Sequence, residues 1–600
     1  MREKLKRLES LSIEPLVMRL LSAWCLSAVL FLILSGDFRD LENFSGFGLI
    51  SFVAVFAAFT VAQYVAAILM KKKGRVPERV LLPVSFGLYS FLTVSGCTDD
   101  MGYYYVFALT AFWAILLFYY NKRGWLRFKK AMTKKKMVTV IAVSGGVFFL
   151  LVGLTGALRY AAYRTPNYDF GIFCQMFYNL KRHLTPVTTC ERDRLLSHFA
   201  VHLSLIYYLM LPVYFVFSSP VTLQLTQAAL LGSAVIPLSL LCRHYKLSYL
   251  RTAVFAVVLV AFPAVAGGTN YDFHENCFLL PLLLWVFWAY EKEKHVLTAV
   301  FTLLTLFVKE DAAIYIAFFA IYVLLDRKKY LRGVLLLAGA GIYFLVAVKI
   351  LSSYGEGVMT TRYENFIVGD GTLLDAVKNV LVDPGYAFTQ IFVDGDGSYQ
   401  PKMLFLLQIA VPLAFLPFGV KRPSRLLLLL PMLLMNLLTL YVYQYQIGFQ
   451  YTFGVIAFLF YLSVINVSDM QPATGRLLLS IACVCGVMCF ILSPVSRCSY
   501  YLKLWAKENE RNELISEALD EIPEDKSVVC STFLLPHLAN REVLYETYYH
   551  QPADGEKLDY VILDYRMSAP TEDKEKYEAL GYQVTKTVEY EGNLVLEILQ

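Results

Sequence analysis

The sequence predicts an all-α polytopic membrane protein of about fifteen transmembrane helices with a small α/β domain at its C-terminus. Of its 600 residues, 57% are hydrophobic and 17% charged, with a mean hydropathy of +0.53. An ordinary soluble domain is about 45–50% apolar and about 25% charged. The apolar excess is gathered into runs such as MVTVIAVSGGVFFLLVGLTGAL at 137–158, longer than the roughly 18 residues that mark a spanning helix. From about residue 500 the composition turns charged and amphipathic, which places a separate domain there. Disorder, a coiled coil and a small disulfide scaffold are excluded by the same figures.

Sixteen apolar runs lie between residues 16 and 494, separated by basic clusters: MREKLKR at 1–7, KKKGR at 71–75, the long NKRGWLRFKKAMTKKK at 121–136, and shorter ones at 243–246, 326–332 and 421–425. Such clusters mark the cytoplasmic side of membrane-inserted chains, so the net charge of +6 gives no support for nucleic acid as a partner. A crossing by 198–217 would place every later basic loop outside. Its His198, His202, Tyr207, Tyr208 and Tyr214 suit an interface, and the segment is predicted to lie along the outer surface. The N-terminus is then cytoplasmic and the C-terminus extracytoplasmic. The basic start is followed by a long apolar run without a small-residue cleavage signal, and reads as a retained first helix. The predicted organisation is an N-terminal four-helix membrane extension (1–136), a transmembrane core (137–494) with large outer loops at 160–220 and 353–401, and the extracytoplasmic domain (495–600). In that domain 503–522 is a charged helix, SVVCST and KLDYVILDY are short strands, TEDKEKYEALG is a helix and the last residues form a hairpin.

With this topology the acidic residues gather at one set of helix ends. A charge at a helix centre costs roughly 2.5–3.5 kcal/mol on translocon scales, so Asp169, Asp272, His274, Glu275, Lys309, Glu310 and Asp311 at those ends suggest a use. Blander readings stand beside this one. Asp169 after Pro166 suits a helix cap, Asp272–Glu275 an ordinary polar turn, and Lys309–Asp311 a self-neutralising junction. Arg362 suits an interfacial anchor. HENCF at 274–278 is not HExxH, and DGDGS at 394–398 lacks the sixth-position glycine of a calcium loop. No P-loop, dinucleotide fingerprint or serine elbow is present. Of the eleven cysteines, Cys174 with Cys190 and Cys498 with Cys530 are the pairs that an oxidising side would allow to bond.

YDFGIFCQMFYNL (168–180), the LLSHFAVHLSLIYYL stretch after it, NYDFHEN (270–276) and FVKEDAAIY (307–315) resemble the DUF2079 family of predicted bacterial membrane proteins, which in turn resembles the GT-C superfamily of integral membrane glycosyltransferases. The resemblance covers roughly residues 140–600. One departure stands out: where such proteins tend to carry His-Tyr near the late outer turn, this chain has Gln450-Tyr451. The resemblance implies a polyprenyl-phosphate-linked sugar as donor, a transfer on the outer face of the bacterial plasma membrane, and an acidic residue in the first outer loop, which maps to Asp169. A mechanism that fits the residues has Asp169 as general base and Lys309, Arg362 and His198 as cations for the donor phosphate, with His274 in support. Asp272, Glu275, Glu310 and Asp311 then position sugar hydroxyls or, with His274, hold a divalent metal ion. Tyr168, Tyr271, Tyr363 and the 441–451 tyrosines offer faces for a sugar, although tyrosines also form the interfacial belt of any membrane protein. A lipid or glycan transporter or flippase, or a non-catalytic envelope-assembly protein, are the alternative readings. No internal repeat supports the transporter.

Overall fold

The computed structural model describes residues 13–36, 41–71, 78–97, 101–126, 131–269, 271–354, 361–553 and 555–600. The predicted basic cluster at 1–7 and Asn270 of the NYDFHEN turn lie outside the described residues, as does most of the cluster at 71–75.

Long apolar runs become helices because no water is available in the bilayer to satisfy an unpaired backbone. Nine helices among the described residues are long and apolar enough to cross a membrane. Other predicted runs form shorter helices, notably Leu279–Glu291, His295–Leu306 and Ala312–Leu325, of 13, 12 and 14 residues. At about 1.5 Å per residue these cover roughly 18–21 Å, less than the ~30 Å hydrocarbon core. Length alone therefore accounts for nine spans of the fifteen expected. Residues 198–217 break into a single 3-10 turn and the ten-residue helix Tyr207–Val216, about 15 Å long and too short to span.

The chain divides into two compact units, residues 1–130 with 487–496 and residues 131–486 with 497–600. The first contains helices Ile13–Ser35, Leu49–Lys71, Glu78–Ser95 and Met101–Lys122. Inside it a Ser22–Ser85 hydroxyl pair at 2.9 Å joins two of them, and the Trp113 indole donates to Ser90 at 3.2 Å.

The second unit is built around Phe453–Asp469, a helix apolar on every side and buried along nearly its whole length, as a central helix should be. By contrast, Tyr330–Tyr354 buries only four residues, Gly333, Ala340, Ala347 and Leu351, so most of its surface suits lipid. The C-terminal domain follows the helix Ser496–Asp520. With β1 (Val187–Thr188) and β2 (Leu196–Ser197) forming a small antiparallel ribbon in the first loop, the domain contributes β3 (Val528–Cys530), β4 (Leu544–Glu546), β5 (Tyr560–Asp564), β6 (Val584–Tyr590) and β7 (Asn593–Leu599). Their order is β4-β3-β5-β7-β6, parallel across β4-β3-β5 and antiparallel thereafter. Val529, Val561, Leu563, Tyr577 and Leu599 form its core. The predicted strands, helix and final hairpin are present. β4 was not expected, because three residues leave too little alternation to read.

Candidate active site

A cavity of about 1010 Å³ opens beside the first large loop, and Asp169 is on its wall. That volume is at the top of the usual range for small-molecule sites. The preceding helix Lys134–Ala161 has already ended, with Tyr163 in left-handed backbone at φ 53°, and after Pro166 residues Asn167–Gly171 form a single π turn before helix Ile172–His183. Such turns recur at functional sites because they re-aim one side chain. The turn is held from the C-terminal domain: the Asn167 N–H donates to Thr532 Oγ1 at 2.9 Å, and its side-chain amide to Glu546 at 2.7 Å. Gly171 permits this approach, since a Cβ there would meet Leu535 at 2.4 Å and Asn167 Oδ1 at 2.5 Å.

The same domain closes the rim. His550 pairs with Asp193 at 2.7 Å and the Gln551 N–H donates to Asp193 at 2.8 Å, while Tyr549 enters the cavity wall. Arg192 and Asp193 both have left-handed backbone, with φ of 61° and 52°, a conformation that costs a non-glycine residue energy and persists when its surroundings fix it.

Asp169 shares the cavity wall with Tyr271 and its hydroxyl. Burial raises its carboxyl above the ordinary carboxylate value, against the pull of Lys309 and of that hydroxyl. Beyond Tyr271 runs an aromatic wall. Tyr271 packs on Phe449 at 4.7 Å between ring centroids, Phe449 on Tyr443 at 4.5 Å, and Tyr441 meets Tyr451 edge-on at 5.8 Å. The Arg362 guanidinium lies over Tyr441 and Tyr451 at 4.8 and 5.2 Å, a placement that holds a cation without removing its charge. The wall's position depends on Gly267, where a Cβ would stand 2.3 Å from the Ile447 carbonyl oxygen. Because backbone cannot swing aside, Gly267→Ala is expected to destabilise the protein by about 1–3 kcal/mol and to lower its melting temperature in detergent.

Opposite the aromatics is a chain of buried hydrogen bonds. Glu191 contacts His198 Nδ1 at 2.8 Å, His198 Nε2 meets the Tyr207 hydroxyl at 3.1 Å, and that hydroxyl donates to Glu275 at 2.9 Å. Glu275 also lies 3.0 Å from His274 Nδ1 and 3.5 Å from the Lys309 ammonium. Burial works against a charged His198, but the Glu191 carboxylate outweighs it and raises the imidazole's pKa; Glu191, itself opposed by burial, is held below the ordinary glutamate value by His198. A doubly protonated His198 can donate from both ring nitrogens, which matches partners that accept on each side. His274 and His202 are lowered well below the ordinary value, first by burial and then by Lys309, so both are neutral. Tyr207→Phe cuts the chain in the middle and is expected to cost about 1–3 kcal/mol, read as a lowered denaturation midpoint.

The sequence-predicted residues thus divide. Asp169, Tyr168, Tyr271, His198, His274 and Arg362 line the cavity; Tyr168 is 55% exposed. Glu275 and Lys309, 0% and 2% exposed in their side chains, form an ion pair behind that wall. Glu310 is used on the protein, accepting from the Leu203 N–H at 3.1 Å and contacting His202 at 3.0 Å. Asp311 precedes helix Ala312–Leu325 without capping it; burial raises its carboxyl, with Lys309 opposing. Tyr363 donates to the Leu434 carbonyl at 3.2 Å and packs in a separate cluster around Phe366. Asp272 is fully engaged: Arg159 reaches its two oxygens at 3.1 and 3.4 Å and Gln224 donates at 2.6 Å. Among the described residues no group of three or more His, Cys, Asp or Glu is placed to hold a metal ion, and all eleven cysteines are free thiols.

Glu191, His202, Asp193 and Gln450 line the cavity but were not expected in the site. Arg159 was also missed, although an arginine at the end of a long apolar run is itself a signal.

The model of the DUF2079 predicted membrane proteins matches residues 159–592. The chain belongs to this family. The family's match begins at Arg159 and includes every cavity residue named above. No curated protein matches the chain. It is similar to two crystal structures of ArnT from Cupriavidus metallidurans. One, bound to undecaprenyl phosphate, is 10% identical with a TM-score of 0.46 over 78% of this chain and 98% of that one. The other, in the apo state, is 11% identical with a TM-score of 0.41 over 77% and 97%.

Proposed function

We propose that the protein is a GT-C-type membrane glycosyltransferase, moving a sugar from a polyprenyl-phosphate donor to a cell-envelope acceptor on the outer face of the bacterial plasma membrane. The observation that carries this reading is the pairing in one cavity of a carboxylate, Asp169, with a cation, Arg362, across a wall of aromatic rings. Transfer from a phosphate-linked donor needs these three features. A base takes the acceptor proton, a cation stabilises the leaving phosphate, and ring faces hold the sugar.

The step is a direct displacement at the anomeric carbon. Asp169 accepts the proton of the acceptor hydroxyl as that oxygen bonds to the carbon, and the bond to the donor phosphate breaks with its electron pair leaving on the phosphate. Arg362 takes up the developing negative charge. His198, with both ring nitrogens engaged by Glu191 and Tyr207, contributes charge without direct contact. Lys309 acts through Glu275 as part of the support.

The pH dependence follows from the two shifted groups. Asp169 must be ionised to act, and its raised pKa moves the acid limb of kcat/KM above the pH near 4 expected of an ordinary aspartate. His198 must stay protonated, and its raised pKa moves the alkaline limb above the ordinary histidine value near 6.5. Purified protein with a polyprenyl-phosphate sugar and a range of acceptors tests the proposal. Transfer with a bell-shaped profile between these limbs is the expected result, and a rate that is flat from pH 4 to 7 removes Asp169 from the role of base.

A further inference from the structure

A second feature lies at the opposite end of helix Leu279–Glu291 from the Glu275 cluster. There, Glu291, Glu293 and Asp326 meet Arg327, Lys329, Arg332 and Arg422 around a small pocket of about 190 Å³. Each carboxylate is within ion-pair distance of an arginine: Arg327–Glu291 at 2.5 Å, Arg332–Glu293 at 3.3 Å and Arg422–Asp326 at 3.9 Å. Four cations against three anions leave one positive charge in excess. The Arg332–Glu293 pair is half open to solvent, with side chains 30% and 63% exposed, and pairs of that kind are held weakly.

Arg332 and Tyr290 also line the mouth of an apolar groove of about 540 Å³ between helices His295–Leu306 and Tyr330–Tyr354. Its lining includes Leu303, Leu335, Gly339, Ile342 and Val346. From Arg332 to Val346 the helix rises roughly 21 Å, a length that suits one hydrocarbon chain. The groove shares two residues with the basic pocket and none with the Asp169 cavity, so a chain lying in it has its polar end at Arg332. Basic pockets between transmembrane helices at the bilayer surface attract anionic headgroups.

We propose that this pocket and groove together form a binding site for an anionic phospholipid, with its phosphate at Arg332 and one acyl chain between the two helices. The site is separate from the cavity proposed for transfer and stands or falls independently of it.

The test uses the full chain, purified, delipidated and loaded with phosphatidylglycerol or phosphatidylcholine, with bound lipid counted by native mass spectrometry. Phosphatidylglycerol is expected to be retained several-fold better than phosphatidylcholine. Arg332→Gln reduces that preference toward unity. Gly339→Leu adds side-chain volume to the groove at a position where a Cβ meets nothing within 4 Å, and reduces retention of both lipids. Excess inorganic phosphate does not displace the lipid. Equal retention of the two lipids by the wild type, unchanged retention by Gly339→Leu, or displacement by free phosphate overturns the proposal.

Discussion

Asp169→Asn is expected to lower the rate of sugar transfer by about 10²–10⁴-fold, the usual contribution of a positioned general base. Asparagine keeps the size of the side chain, but it cannot take the acceptor's proton. The π turn itself is held by Asn167 through Thr532 and Glu546, so the loop should keep its shape. The loss should therefore fall on kcat, with KM for the donor little changed, because the donor's phosphate is assigned to Arg362. Steady-state transfer from a polyprenyl-phosphate sugar by protein in detergent or liposomes measures both. Undiminished transfer by the variant contradicts the assignment.

The largest expected effect on stability is at Arg159. Arg159→Met leaves Asp272 buried without its ion-pair partner, and also strips a donor at 2.5 Å from the Tyr271 carbonyl. Breaking a buried pair from one side typically costs about 3–5 kcal/mol. Burial, opposed by Arg159, already raises Asp272 to about 6, so at neutral pH the carboxylate is charged and the pair intact. Without the arginine the folded-state pKa rises further. A carboxyl with a raised folded-state pKa favours the fold while protonated and loses that contribution as pH rises through it. The defect of Arg159→Met should then shrink as pH falls from the variant's raised pKa toward about 6, and level off below it. Thermal unfolding in detergent across that range checks this, as does the double variant Arg159→Met, Asp272→Asn, which should recover part of the loss by removing the unpaired charge.

The spanning segments were legible because a bilayer demands unbroken apolar length, a property written along the chain. Residues 198–217 hold only a 3-10 turn and a ten-residue helix, too short to span, and the polar residues that interrupt the run were the readable sign of that. What sequence could not disclose is which way an ionisable residue turns at a helix end. Lys309 and Arg362 read alike, as cations near the same surface. Yet Lys309 turns inward to Glu275, 34 positions earlier, while Arg362 spreads over two tyrosines of a later segment. Asp272 read as a site residue because its partner Arg159 lies 113 positions away, beyond any periodicity. Glu191 was passed over in a loop that gave no pattern, and only the fold of the β1–β2 ribbon brings it to His198. Gly267 carries no signal in an alternating small-residue stretch; its purpose appears only when the 447–449 backbone lies against it.

The direct measurement of the central claim is a structure of the protein with a polyprenyl-phosphate sugar bound. The phosphate is predicted at the Arg362 end of the cavity, the sugar against Tyr271, Tyr441 and Phe449, and the anomeric carbon on the side of Asp169. A donor whose phosphate rests instead at Arg332, or whose sugar lies beyond reach of Asp169, contradicts it.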